Sequence, residues 1–408
     1  KVTLPEVVKR FCRAPAPPRS GRSPAADISA RALQRLERAG VAVGPERRHE
    51  SSLSPVALLR QWQVRFGICN GRHHFNFAGE QTAYGRGLHL EDARAACLME
   101  IVERRSAYAD IDGAGTVGLA EKHALVHARA SEWGRDAGTG LDPNRLTLEA
   151  PYTDAPLYWI EAEMQTLEGP IPMWVPAQCV FMFCNLDEVK LFSALGSTGL
   201  AAGASLEEAK FRALLEIIER DSESVMPFSP RTCFDLEAFS PGITMLLENY
   251  ADLGIQVQFQ DITTELGVPC CKCFVLDGDG RVVKGTGAHL DAGRALLSAL
   301  TETPYPYPEG PPSRPALPGR IRVCLESLPD YADASALRDL QVLETLLLEN
   351  GYHPIYVDLT REDIGLPVVR ALVPGMEMLG DFDRFSRVNP RLYGHYLKLL
   401  REEESGGR

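Results

Sequence analysis

With 408 residues, 45% of them hydrophobic and 24% charged, the chain has an ordinary globular composition and room for one large or two closely joined domains. Its net charge of −12 leaves no basic excess to displace counterions from a phosphate backbone, which excludes a general nucleic-acid binder. No apolar run approaches a membrane span, and the Pro- and Arg-rich start is not a secretory signal, so a cytoplasmic protein with no membrane role is expected.

In chain order, Pro15, Pro17, Pro18 and Pro24 stand among Arg and Ser, and residues 1–24 are expected to form a flexible arm. An N-terminal α/β segment (25–65) follows. In it Ser29–Ala39 reads as an amphipathic helix with Asp27 as N-cap, and a turn at Gly40 leads into Val41-Ala42-Val43-Gly44. Gln61–Asn76 alternates as a strand or hairpin, and Gly85-Arg86-Gly87 turns into a helix over Leu90–Ser106. Leu157–Gln165 and Met173–Phe183 read as strands, and a glycine-containing turn over Ser197–Gly203 precedes a helix over Leu206–Ser222. Gly254–Gln260, Val268–Leu276 and Arg281–Gly285 read as strands, Pro304–Pro318 as a proline-dense loop and Leu337–Asn350 as a helix, before strands in HPIYVDL and LPVVRALVP. Strands mixed with helices predict an α/β (mixed α+β) sheet protein with no clear boundary, ending in a polar tail over 396–408.

Cysteine and histidine carry little signal. The ten cysteines are scattered, and the one cluster, Cys270-Cys271-Lys272-Cys273, lies in a strand whose alternation sends Cys271 and Cys273 to one face. No second CxxC pair accompanies it, so buried thiols in a reducing compartment are expected rather than zinc. His123 and His127 are read as surface residues on a polar helix, without an acidic partner or an HExxH pattern.

The strongest signal is a repeat. LEDARAACLMEIVERRS (90–106) and LEEAKFRALLEIIERDS (206–222) align without a gap at an offset of 116 residues, and nine positions are identical. Each copy keeps Glu-x-x-Glu-Arg, as Glu100/Glu103/Arg104 and Glu216/Glu219/Arg220. Residues three and four apart share a helix face, so each trio presents two carboxylates and a guanidinium together. A lone trio is most simply a solvated face with local Glu–Arg pairs. Two such helices face to face would gather four carboxylates into a cage for a hard, oxygen-liking cation such as Mg²⁺, with the arginines left to meet phosphate. A di-iron or di-manganese bundle fits less well, because the residue three after each first glutamate is Glu rather than His. A weaker third copy exists: Gly285-Thr286-Gly287-Ala288-His289-Leu290-Asp291 parallels Gly85–Glu91 and leads into a helix ending at Glu302. Such glycine turns can offer backbone N–H groups to phosphate, although neither a P-loop nor a GxGxxG occurs at them.

The two ExxER helices, the Ser197-Thr198-Gly199-Leu200-Ala201-Ala202-Gly203 turn, GTGAHLD with ALTE, and PVVRALVPG together resemble the YcaO-domain family, from about Phe66 to Met376. The resemblance implies mixed sheets and helices enclosing an ATP site without a P-loop, and a catalytic domain over 66–395. It implies ATP- and Mg²⁺-dependent phosphorylation of an amide oxygen, after which a nucleophile replaces the phosphate. Carried over by motif, Glu100, Glu103, Glu216 and Glu219 would hold magnesium, with Glu208 and its counterpart Asp92 as further candidates. Glu100, Glu216 and Glu302 would stand at the catalytic centre. Arg86, Ser197 and Thr198 would contact nucleotide, and Arg104 and Arg220 would contact phosphates or brace the carboxylates.

This sequence departs from the family pattern in places. Thr198 stands where Asn is common, Arg86 where Lys is common, and Ser298 where Arg is expected. Thr-Pro-Tyr-Pro-Tyr-Pro follows Glu302 in place of Gln-Ser-Arg, and proline after Thr303 is expected to stop the third helix. REEESGGR lacks the proline-rich end of azoline-forming relatives, which turns the expectation toward thioamidation of a peptide or small amide. A TfuA-like sulfur-delivering partner and a homodimer are expected with it. A cyclodehydratase acting on a precursor peptide is the same chemistry with an internal nucleophile. A divergent, non-catalytic subunit that binds a partner is the competing class.

Overall fold

The computed structural model describes residues 1–12, 24–69, 74–113, 115–119, 123–133, 139–148, 150–192, 196–378 and 389–406. The first part of the chain forms α1 (Leu4–Phe11), α2 (Ala25–Arg38), β1 (Arg47–Arg48), β2 (Val56–Cys69), β3 (His74–Gly87) and α3 (Leu90–Ala107). Short strands β4 (Thr116–Val117), β5 (His123–Ala124) and β6 (Val126–Ala128) lead to β7 (Leu157–Met164), β8 (Ile171–Pro176), β9 (Leu200–Ala202) and α4 (Leu206–Val225). Then come β10 (Cys233–Glu237), α5 (Pro241–Asp252), β11 (Gln258–Asp261), β12 (Cys270–Leu276), β13 (Val282–Ala288) and α6 (Ala292–Glu302). The last elements are β14 (Ile321–Cys324), α7 (Ala336–Glu349), β15 (Ile355–Asp358), β16 (Val368–Leu372) and α8 (Pro390–Gly406). The expected mixed α/β class holds, with helices laid on three main sheets.

The strand order is β1-β2-β3 in the first sheet, β6-β7-β15-β16-β9 with β8 on β7 in the second, and β13-β12-β11-β10-β14 in the third. Pairing is antiparallel except between β10 and β14. Alternation explains the first sheet: Trp62, Val64, Phe66 and Ile68 of β2 are buried, while Gln63 and Arg65 are exposed. Cys97, Leu98, Ile101 and Val102 of α3 join that core. Phe211, Leu214, Ile217 and Ile218 of α4 pack with Leu343, Leu346 and Leu347 of α7 in a second core. Leu296, Ala299 and Leu300 of α6 pack on Phe259, Cys271, Cys273 and Val275 in a third, so Cys271 and Cys273 do share a buried face.

The glycine motifs place helices against strands. A Cβ on Gly85 would fall 1.9 Å from the Ala93 carbonyl oxygen of α3, and one on Gly285 would fall 2.5 Å from the Ala299 carbonyl oxygen of α6. Both helices therefore lie closer to their strand than any side chain allows. The third copy is thus the same strand–helix unit as the first.

Several expectations need correction. Residues 4–11 are not part of a flexible arm: α1 buries Leu4 and Val7 completely, and the Leu4 N–H donates to the Leu266 carbonyl at 2.8 Å. Residues 13–23 lie outside the described residues. Asp27 lies inside α2, which starts after Pro24. The divisions at 65/66 and 395/396 cut through β2 and α8, so they are not boundaries. The expected tail is helical to Gly406, and its helix is tied down by Arg391 on Asp221 at 2.8 Å. His123 and His127 lie on strands, and His123 has an acidic neighbour, Glu161, at 2.9 Å. Met173–Phe183 is a strand only to Pro176, where a 3₁₀ turn begins. Helix α5 and strands β10 and β14 had no sequence counterpart.

Candidate active site

α3 and α4 both pack across β9 and β16, and this brings their ExxER faces toward each other. Glu103 and Glu216 are half-buried, and neither carboxylate accepts a hydrogen bond from the described residues. Burial, with the charges of Glu216 and Glu100, pushes Glu103 up to about 8, and burial, with the charge of Glu219, pushes Glu216 up to about 7. Glu100 is also raised, by burial, against the Tyr84 N–H that donates to it at 2.6 Å. Burial likewise raises Glu219, against the Thr286 hydroxyl that donates to it at 2.7 Å.

Between these helices and the sheet lies a residue the sequence did not single out. Arg370 of β16 is fully buried and makes no ion pair among the described residues; its guanidinium donates to the carbonyls of Val180 (2.8 Å), Gly196 (3.1 Å) and Thr198 (2.8 Å). Burial lowers it to about 10, opposed by the charges of Glu216 and Glu103. It therefore anchors the turn holding Ser197 and Thr198 and supplies positive charge beneath the two glutamates. An arginine inside the apolar run VVRALV was its only mark. Thr286 sat in view within GTG. The Tyr84 N–H is backbone and leaves no mark in a sequence.

The remaining candidates divide. Arg104 braces Glu100 at 3.5 Å and also rests on the Met182 sulfur at 3.0 Å. Arg220 reaches Glu223 at 3.5 Å, and Lys284 holds the same carboxylate at 2.6 Å. Arg86 forms an ion pair with Glu302, and its buried Nε has no hydrogen-bond partner among the described residues. Ser197 is half-buried and Thr198 buried in the anchored turn. Glu302 is the last residue of α6, half exposed, with Thr303 as C-cap before Pro304. Carbonyls orphaned there are recovered, by the Leu53 N–H onto Thr303 at 3.0 Å and by the Ser52 hydroxyl onto Thr301. Ser298 is exposed on α6.

Glu208 does not join the group. It shares an angular face with Glu219 but stands eight residues before Glu216, about 12 Å along the axis at helical rise. Its carboxylate is taken by the Ala204 N–H at 3.1 Å and by Arg212 at 2.8 Å, which closes the helix start. Asp92 is exposed in the first turn of α3.

Nor do the glutamates form the closed cage expected from the repeat. Among the described residues, no three Asp, Glu, His or Cys side chains stand close enough to hold one metal ion. Four raised carboxylates, two of them with no donor among the described residues, still fit a divalent cation that keeps much of its water. Mg²⁺ is commonly held by one or two carboxylates, water and phosphate oxygens. The unpartnered Arg86 Nε–H suits an anionic oxygen beside them. An apolar hollow of about 460 Å³, lined by Phe234, Cys271, Leu296, Val323 and Tyr331 among others, contains none of these glutamates.

Residues 84–304 and 303–377 match the family model described as YcaO cyclodehydratase, ATP- and Mg²⁺-binding. An uncharacterized protein of Methanothermobacter thermautotrophicus is 32% identical over 342 residues, covering 74% of this chain and 84% of its own. YcaO from Methanopyrus kandleri, solved with AMPPCP and Mg²⁺, superposes with a TM-score of 0.59 at 22% identity, over 90% of this chain and 94% of that one. A heterocyclase solved with substrate and cofactor gives a TM-score of 0.67 at 20% identity over 90% of this chain. The present chain spans 55% of that heterocyclase. At these identities the two structures establish the fold. With the model match over most of its length, the chain belongs to the YcaO family.

Proposed function

We propose that this protein is an enzyme that uses ATP and Mg²⁺ to activate an amide carbonyl. The observation that carries this reading is the pair Glu103 and Glu216, both raised by burial and by neighbouring carboxylates, with no hydrogen-bond donor among the described residues, beside a buried Arg370. Like charges held together in a half-buried site cost stability unless a cation offsets them, so their retention points to a bound cation. Glu100, Glu103, Glu216 and Glu219 would supply carboxylates to Mg²⁺, no more than two of them to any one ion, and the bound cation would offset phosphate charge. Arg86 and the Ser197–Thr198 turn would meet nucleotide, and Glu302 would orient Arg86 from the α6 side. The amide oxygen attacks the γ-phosphorus and ADP leaves. A nucleophile then adds to the imidate carbon, and phosphate departs. An amide oxygen is a weak nucleophile, so holding it in line supplies much of the rate.

The finer reading is sulfur as the nucleophile, with a thioamide as product. Six of the chain's ten thiols are poor donors: Cys97, Cys179, Cys184, Cys270, Cys271 and Cys273 are buried, and burial pushes each thiol up. In this reading sulfur comes from outside, as sulfide or from a TfuA-like partner. The test is ADP release from Mg–ATP with an amide peptide, with and without sulfide. Sulfide-dependent gain of about 16 mass units, from exchange of oxygen for sulfur, supports the thioamide. Loss of about 18 mass units without sulfide supports azoline formation instead. Release of ADP in neither case contradicts the enzyme reading.

A further inference from the structure

Strand β3 (His74–Gly87) pairs with β2 along its whole length and forms one edge of its sheet. The contacts of β2 show which way the hairpin's backbone groups face. Gln61 accepts from Gly44, Gln63 donates to Ala42, Gly67 donates to Asp110, and Cys69 donates to Ile111, so these residues turn their backbone away from β3. In an antiparallel ladder the residue opposite an outward-facing one also faces outward. Their partners are Thr82, Glu80, Asn76 and His74. Ala78 and Tyr84 have the same parity, and the Tyr84 N–H does point outward, onto Glu100 at 2.6 Å. The outward N–H and C=O groups of Asn76, Ala78, Glu80 and Thr82 meet no described hydrogen-bond partner, and all four residues are exposed.

A free edge of this length is a template for another strand, and proteins usually guard such edges with lysine, proline or a bulge. β3 has no lysine or proline, and its register with β2 runs without a bulge. It also carries Phe77, 42% exposed, whose ring lies 5.1 Å from Phe66 and 5.7 Å from Phe183. The edge ends at the candidate site: Thr82 precedes Tyr84 by about 7 Å of strand, and Tyr84 and Arg86 meet Glu100 and Glu302.

We propose that the outer edge of β3 binds an extended peptide as an added strand and leads one of its amides to the Glu100–Glu302 end of the site. The inference rests on the amide-activating reading and selects a peptide, rather than a small amide, as substrate class. Backbone pairing supplies affinity, and the Phe77–Phe183 rings take alternate side chains.

Ala78→Pro and Thr82→Pro each remove one outward donor while sparing the β2 ladder. The probe is a randomised, proline-free pool of fluorescein-labelled peptides about ten residues long, retained on the full chain with Mg²⁺ and ATP. Retention by the wild type should fall about tenfold or more in both variants. The same pool methylated on its backbone nitrogens should not be retained by the wild type, a comparison that needs no variant to fold. No retention by the wild type, equal retention by the variants, or retention of the methylated pool would overturn the proposal. So would conversion of a wild-type dimer to monomer by Ala78→Pro in light scattering, which would place a second copy on the edge. Mg–ATP affinity is measured separately on the same proteins. If the wild type fails to bind nucleotide, the amide-activating reading falls by itself, and peptide retention still judges the edge.

Discussion

The α3–α4 side of the site and the α6 side come from the same strand–helix unit but differ in depth and in partners. Glu103 and Glu216 lie half-buried over a fully buried arginine and accept no hydrogen bond from the described residues, whereas Glu302 is half exposed at a helix end and already paired with Arg86. A buried, unpaired carboxylate depends on an incoming cation. An exposed, paired one is screened and replaceable. On the proposed reading, the difference would put cation holding on α3 and α4 and would leave α6 to orient one arginine.

Breaking the deeper side should have the largest effect. Arg370→Met keeps the volume but leaves three carbonyls without this donor and removes one of the positive charges facing Glu103 and Glu216, and should lower stability by about 3–5 kcal/mol. Urea unfolding measures this, and a loss below about 1 kcal/mol would deny Arg370 its anchoring role. Next come Glu103→Ala and Glu216→Ala, each expected to weaken Mg–ATP binding about 100-fold by calorimetric titration. On the shallow side, Glu302→Ala should cost about tenfold or less in the same titration. A Glu302 effect exceeding that of Glu216 would reverse the comparison.

The smallest effect is with pH. Glu103 at about 8 and Glu216 at about 7 stand above their unfolded value near 4.5. The folded state therefore holds more protons across that window, and the metal-free protein should lose stability as pH rises from about 4.5 to 8. Mg–ATP affinity should rise over the same range, because the carboxylates must shed protons to bind. The Glu103→Gln/Glu216→Gln protein should show a flatter urea-midpoint slope than the wild type. An unchanged slope would remove these two groups from the explanation.

What the sequence could reveal follows the same division. Period and repeat marked β2, α3, α4 and α6, because each keeps one face apolar or one face charged, whereas β3 was read only to Asn76 and its end at Gly85–Gly87 as a turn. α1 was hidden because the prolines after it coloured the whole segment, although Leu4 and Val7 already had helical spacing. His123 and His127 satisfied an i,i+4 rule and yet lie on strands, since a spacing of four is also an even number. Glu208 was misplaced because a helical wheel gives the angle of a side chain and not its height. The glutamate trios were legible as side chains. Arg370 and the Tyr84 N–H were not, since burial and backbone geometry belong to the fold.

The central claim is that Mg–ATP binds between α3 and α4. Calorimetric titration of ATP into the wild-type chain, with Mg²⁺ and then with chelator, and into the Glu103→Gln/Glu216→Gln protein, tests it most directly. Saturable binding only by the wild type and only with Mg²⁺ is the predicted result. Equal affinity with chelator, or in the double variant, would contradict it.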